Sequence, residues 1–106
     1  MTSRFMRTII FFDLPTSTKS ERRTYNRFLK QLKKNGFSML QESVYTKLSM
    51  NETVVSSTMK EIKKILPSSG FVSALTLTEK QYSSIEHLVG FSDSDLISSN
   101  EKVVKL

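Results

Sequence analysis

The residue pattern predicts an α+β fold in which two helices cover one face of a sheet, and three observations carry it. Thr8 to Leu14 is a run of β-branched and aromatic residues with apolar side chains on both alternating faces, the mark of a covered strand. Thr18–Glu21 and Ser49–Glu52 read as capping boxes, each ahead of apolar residues at helical spacing. Strand-like runs follow each helix, so the segments come in the order β-α-β-β-α-β, the split βαβ or ferredoxin-like plan.

Taken in order, the first strand stops at Pro15, which cannot donate to a sheet ladder. In the capping box the Thr18 hydroxyl accepts from the third helical N–H while Glu21 reaches back to the cap. The helix it starts runs to about Asn35, with Gly36 as left-handed terminator and Tyr25, Phe28, Leu29 and Leu32 as its buried stripe. Phe37 to Ser49 is strand-like, and a break near Gln41-Glu42 divides it into two short strands. The second helix starts from the Ser49 box, buries Val55, Met59, Ile62 and Leu66, and ends at Pro67-Ser68-Ser69-Gly70. Phe71 to Thr78 is another strand, and Ile85 to Val89 reads as an additional short one after a turn.

Two helices cover one face of such a sheet, yet the first strand is apolar on both. Ile9 and Phe11 lie on one side, and Ile10, Phe12 and Leu14 on the other. A second copy of the chain is the expected cover, giving a sheet-to-sheet homodimer. Residues 1–90 are expected to form the domain. Residues 91–106 differ in character: Ser92-Asp93-Ser94-Asp95 and Ser98-Ser99-Asn100 are polar linker material before Val103-Val104-Lys105-Leu106. This tail is either a frayed terminus or a short strand clipped onto an edge of the partner subunit.

Composition narrows the function classes. Zero cysteines exclude disulfides and thiolate metal sites, and a single histidine excludes a multi-histidine site within one chain. No stretch approaches the roughly 18 apolar residues of a membrane span, and Ile9 to Phe12, followed at once by Asp13 and Pro15, makes a poor signal peptide. A cytoplasmic protein without membrane contact is expected. Sixteen Lys/Arg against ten Asp/Glu give a net charge of +6, which suits either a nucleic acid or an acidic protein surface.

The distribution of that charge is more telling than its sum. Lys19, Arg22, Arg23, Arg27, Lys30, Lys33 and Lys34 all lie on the first helix, against one carboxylate, the capping Glu21. At 100° per residue they occupy an arc of roughly 140° opposite the buried stripe. An ordinary solvated face mixes signs; a row of one sign repels itself unless it is solvated or matched by phosphates, and both readings stand, the phosphate one favoured. Contact of that kind gives affinity without base specificity.

Asp13 is the second candidate. It ends the first strand and shares a face with Ile9 and Phe11. Two readings are open: it caps the turn that follows, or it meets its symmetry mate in the dimer, where two carboxylates attract a divalent cation or share a proton. Other positions carry less. His87 is alone, Asp93 and Asp95 lack the glycine and closing glutamate of an oxygen-ligand loop, and Ser43 has no histidine placed by the sequence to activate it. The five methionines read as core filler, and there is no phosphate-binding glycine loop.

Three ordered segments, Met6-Arg7-Thr8-Ile9-Ile10-Phe11-Phe12-Asp13-Leu14-Pro15, Glu21-Arg22-Arg23-Thr24-Tyr25 and Gly36 to Tyr45, resemble the CRISPR-associated protein 2 family. Leu75-Thr76-Leu77-Thr78-Glu79-Lys80-Gln81-Tyr82 resembles its type II members in particular. The resemblance covers about Met6 to Gly90. It implies a homodimer packed sheet to sheet within the spacer-acquisition complex, flanked by dimers of the larger CRISPR integrase subunit, with a prespacer DNA duplex laid across it. It also implies a Mg2+-dependent endonuclease, acting on RNA or DNA, in which Asp13 occupies the metal-ligand position in each subunit. Arg22 and Arg23 match the family's basic pair, assigned to DNA backbone or subunit contacts. A third reading, an RNA-binding module on the same fold, has Phe11 and Tyr45 available but lacks the accompanying glycine-aromatic pattern.

Overall fold

A computed structural model describes residues 5–90. The elements are β1 (Met6–Asp13), α1 (Lys19–Lys34), β2 (Ser38–Gln41), β3 (Val44–Ser49), α2 (Glu52–Lys63), β4 (Phe71–Thr78) and α3 (Glu79–Tyr82). The four strands form one antiparallel sheet in the order β2-β3-β1-β4, which is the ferredoxin-like arrangement the sequence predicts.

The first helix forms as its termini dictate. The Thr18 hydroxyl accepts from the Glu21 N–H at 3.0 Å, and Glu21 Oε1 accepts from the N–H groups of Ser17 and Thr18 at 2.8 and 3.0 Å. At the other end Gly36 takes φ +95°, the Phe37 N–H donates to the Leu32 carbonyl, and the Gly36 N–H to that of Lys33. This paired closure satisfies carbonyls the helix would otherwise orphan, and it brings Phe37 into the core with Leu32.

The core lies between the helices and one sheet face. Ile10, Phe12 and Leu14 of the first strand region meet Phe28 and Leu32 of α1, Ile62 of α2, and Tyr45 of β3. The Phe12 ring sits edge-on to Phe28 at 5.3 Å and stacks on Tyr45 at 6.0 Å. Burial pushes the Tyr45 hydroxyl above its ordinary value, with a smaller push from Tyr25.

Three details differ from expectation. Asn51, not Ser49, caps α2: its side chain accepts from the Val54 N–H at 3.0 Å. Ser49 is occupied as the last residue of β3, paired with Met6 and buried, so its hydroxyl is unavailable to a helix. Leu66 is 48 % exposed because α2 ends at Lys63, and Ile65 packs against the core instead. Residues 85–90 form no strand; a capping box of Thr78 and Gln81 turns the chain into α3 directly after β4. The tail expected over residues 91–106 lies outside the described residues.

The second sheet face follows from register. Residues paired across antiparallel strands share a face, so Arg7, Ile9, Phe11 and Asp13 line up with Leu48, Thr46 and Val44 on one side. On the other side they line up with Leu77, Leu75, Ser73 and Phe71. Neither α1 nor α2 covers this face. Phe11, Leu48, Leu75 and Phe71 remain 44, 47, 53 and 74 % exposed. One corner is closed by α3, where Arg7 donates to both Glu79 carboxylate oxygens at 2.9 and 2.8 Å and lies over the Tyr82 ring at 4.2 Å.

Candidate nucleic-acid interface and carboxylate site

The basic row is built as the helical period requires. Tyr25, Phe28, Leu29 and Leu32 turn inward, and Lys19, Arg22, Arg23, Arg27, Lys30, Lys33 and Lys34 are all exposed on the outer side of α1. Among the described residues no carboxylate lies within ion-pair distance of any of the seven. The helix's one acid, Glu21, is held at the N-terminal cap by the bonds described above, away from the middle of the row. Arg22 is the most constrained cation: its Nη1 donates to the carbonyls of Thr16 and Ser17, both at 3.1 Å, which folds the guanidinium back toward the end of β1.

That end of β1 holds Asp13, exposed at the rim of the uncovered face. A cavity of about 380 Å³ there is lined by Asp13, Thr16, Arg22, Asn26, Glu42 and Ser43. The hairpin turn between β2 and β3 reaches it because the Phe12 N–H donates to the Ser43 carbonyl at 3.1 Å. Ser43 holds φ +65°, a left-handed conformation that costs a side-chain-bearing residue about 1 kcal/mol. Asp13 and Arg22, predicted separately, therefore share one cavity. Sequence reasoning missed Glu42 as their neighbour. The only available signal was the break at Gln41-Glu42, which marks a turn but not where the turn points.

The donors suit a hard cation held loosely. Both cavity carboxylates offer oxygen, which Mg2+ prefers, and an exposed rim leaves room for coordinated water. Among the described residues no three His, Cys, Asp or Glu side chains gather into one cluster. His87 is exposed and lies beyond α3, outside the residues lining this cavity. No helix among the described residues is long and apolar enough to cross a membrane.

Comparison with known proteins agrees with this architecture. The family described as CRISPR associated protein Cas2 matches residues 6–85. A Treponema denticola protein named CRISPR-associated endoribonuclease Cas2 is 46 % identical over 101 residues, 95 % of this chain and 100 % of the relative. Proteins of the same name from Ligilactobacillus salivarius and Streptococcus mutans are 42 and 39 % identical, each over 95 % of this chain and 100 and 93 % of their own lengths. A structure titled "Crystal structure of cas2" superimposes with a TM-score of 0.60 at 21 % identity, over 85 % of this chain and 92 % of that one, a likeness of fold.

Proposed function

The chain belongs to the Cas2 family of CRISPR-associated proteins, and from that premise we propose that it is the dimeric adaptor of a CRISPR adaptation complex. In this reading it binds a prespacer DNA duplex and bridges integrase dimers during spacer acquisition in the cytoplasm. The observation that carries it is the row of seven exposed cations on one side of α1, with no carboxylate among the described residues in ion-pair reach. A duplex is the ligand that matches a long stripe of one sign, because its phosphates repeat at fixed spacing and release counterions on contact.

The uncovered sheet face supports the dimer. Exposed Phe11, Leu48, Leu75 and Phe71 form an apolar patch on the side away from the basic row, so pairing through it leaves both rows outward. In that dimer residues 1–90 are the domain.

A second reading, a Mg2+-dependent endonuclease, is favoured by the name endoribonuclease that the relatives carry and by the Asp13 cavity. Asp13 from each subunit would hold the ion, with Glu42 beside it. The chemistry supplied by bound Mg2+ is polarisation of a phosphate and acidification of water. Arg22, fixed by two backbone carbonyls, would orient the phosphate.

The test is in vitro spacer integration with the cognate integrase subunit, comparing wild type, Asp13→Ala and Arg22→Gln/Arg23→Gln. The adaptor reading expects the arginine variant to integrate poorly and Asp13→Ala to integrate normally. It also expects wild-type duplex affinity to fall with salt at a log–log slope near −5 if about six cations engage. Integration lost in Asp13→Ala, with the dimer intact by light scattering, would promote the nuclease reading. A salt slope near zero would remove α1 as the DNA surface.

A further inference from the structure

We propose that the cavity between α1 and the C-terminal end of α2 is a subsite for one backbone phosphate, held between Arg27 and Lys64. The cavity, of about 330 Å³, is lined by residues of α1 and by the chain that follows α2. Four of its lining residues carry hydrogen-bond donors: the Thr24 hydroxyl, the Arg27 guanidinium, the Gln31 amide and the Lys64 ammonium. Among the described residues no carboxylate lines it. Its floor is apolar, formed by Phe28 and Ile65, which are packed into or against the core.

Those properties select an oxyanion. Two cations from different elements, with two neutral donors between them, offer a phosphate more bonds than any single position on the α1 row can. The apolar floor lowers the local dielectric, so each charge-assisted bond is stronger than on open surface. Arg27 and Gln31 are one helical turn apart on α1, while Lys64, the residue that closes α2, lines the same cavity from a different element. Lys64 Nζ is already 3.0 Å from Glu61 Oε2, but both side chains are more than half exposed. Such a pair is worth little and yields readily to a phosphate.

The site extends the basic surface beyond α1. Lys60 and Lys63 occupy the last turn of α2, next to Lys64, so the footprint broadens from a line to a band across both helices. An acidic peptide could also offer an oxyanion. A nucleic-acid phosphate is favoured because Arg27 belongs to the continuous row, so a duplex lying along α1 passes the mouth of the cavity. This inference rests on α1 being the nucleic-acid surface.

The experiment is a salt titration of a fluorescein-labelled DNA duplex by anisotropy with the full chain. The variants are Lys64→Gln, Arg27→Gln, their combination, Lys64→Arg, and Arg23→Gln as a reference on the row outside the cavity. Lys64→Gln and Arg27→Gln should each weaken binding, their combination should reduce the log–log salt slope by about one in total, and Lys64→Arg should preserve slope and affinity. The double variant should lose less affinity than the two single losses combined, because both cations act on one phosphate. If Arg23→Gln weakens binding while Lys64→Gln leaves slope and affinity unchanged, the subsite is overturned and the α1 reading stands. If none of the variants changes the slope, the α1 reading fails as well. If the single losses simply add, the shared phosphate is refuted.

Discussion

Replacing Glu79 by glutamine should destabilise the fold by about 1 kcal/mol at neutral pH, and the loss should disappear in acid. Arg7 bonds both Glu79 carboxylate oxygens, at 2.9 and 2.8 Å, and its Nη1 also donates to the Thr46 hydroxyl at 3.0 Å. The two side chains are 18 and 36 % exposed, so solvent screens the pair in part. A bidentate pair in that setting lies near the top of the range for exposed ion pairs, about 1 kcal/mol. For a domain of this size that corresponds to roughly 4–8 °C in Tm.

The pH dependence follows from the direction of each shift. Hydrogen bonding from Arg7 holds the Glu79 carboxyl below its ordinary value of 4.5, against an opposing push from burial. The same bond, which Arg7 donates, raises the guanidinium above its ordinary value, so it stays charged throughout. A carboxylate whose folded value is depressed contributes stability above its unfolded value and loses it as pH falls through the folded one. Thermal melts followed by circular dichroism should therefore show the full gap between wild type and Glu79→Gln at neutral pH. The gap should narrow below about pH 4.5 and close as Glu79 protonates. An equal gap at neutral pH and at about pH 3, or none at neutral pH, would refute the reasoning.

Gly70→Ala should lower Tm by several degrees. Gly70 sits at φ +92°, and an added Cβ would meet Leu14 Cδ2 at 2.7 Å and the Asp13 carbonyl at 2.8 Å, the latter rigid backbone; the expected cost is about 1–3 kcal/mol, and an unchanged Tm would contradict that packing. Ser43→Gly should raise stability by about 0.5–1 kcal/mol in urea denaturation, since glycine tolerates φ +65° without strain. Phe71→Asp should convert the proposed dimer to monomer by light scattering while leaving the far-ultraviolet spectrum intact, because Phe71 is 74 % exposed in the single chain; a persistent dimer would move the interface elsewhere.

Local signals along the chain account for much of the fold. The Thr18–Glu21 box, the Gly36 terminator and the 3.6-residue stripe act within a few residues, so α1 is legible with its ends. The same holds for β4, bounded by Gly70 and Thr78, and for the split of the middle extended run into β2 and β3. The misreadings occurred where two local signals competed. Ser49 and Asn51 are both capping residues, and only the pairing of Ser49 with Met6 decides between them. Thr78 and Gln81 form a box too short to announce a helix by periodicity, so α3 was hidden among turn residues.

By itself the sequence determined the order of elements, the single-sign row on α1 and the two apolar faces of β1, because helical and strand periodicity convert position directly into direction. It also placed Asp13 at the end of β1. Only the tertiary structure decided what stands next to what. It brought Glu42 and Arg22 into the Asp13 cavity, put Lys64 and Arg27 on one cavity, and closed Arg7 onto Glu79 across 72 positions of chain. Those meetings depend on strand register, hairpin geometry and helix packing. A contact between distant residues is fixed by how whole elements dock, and no local pattern of side chains encodes that distance.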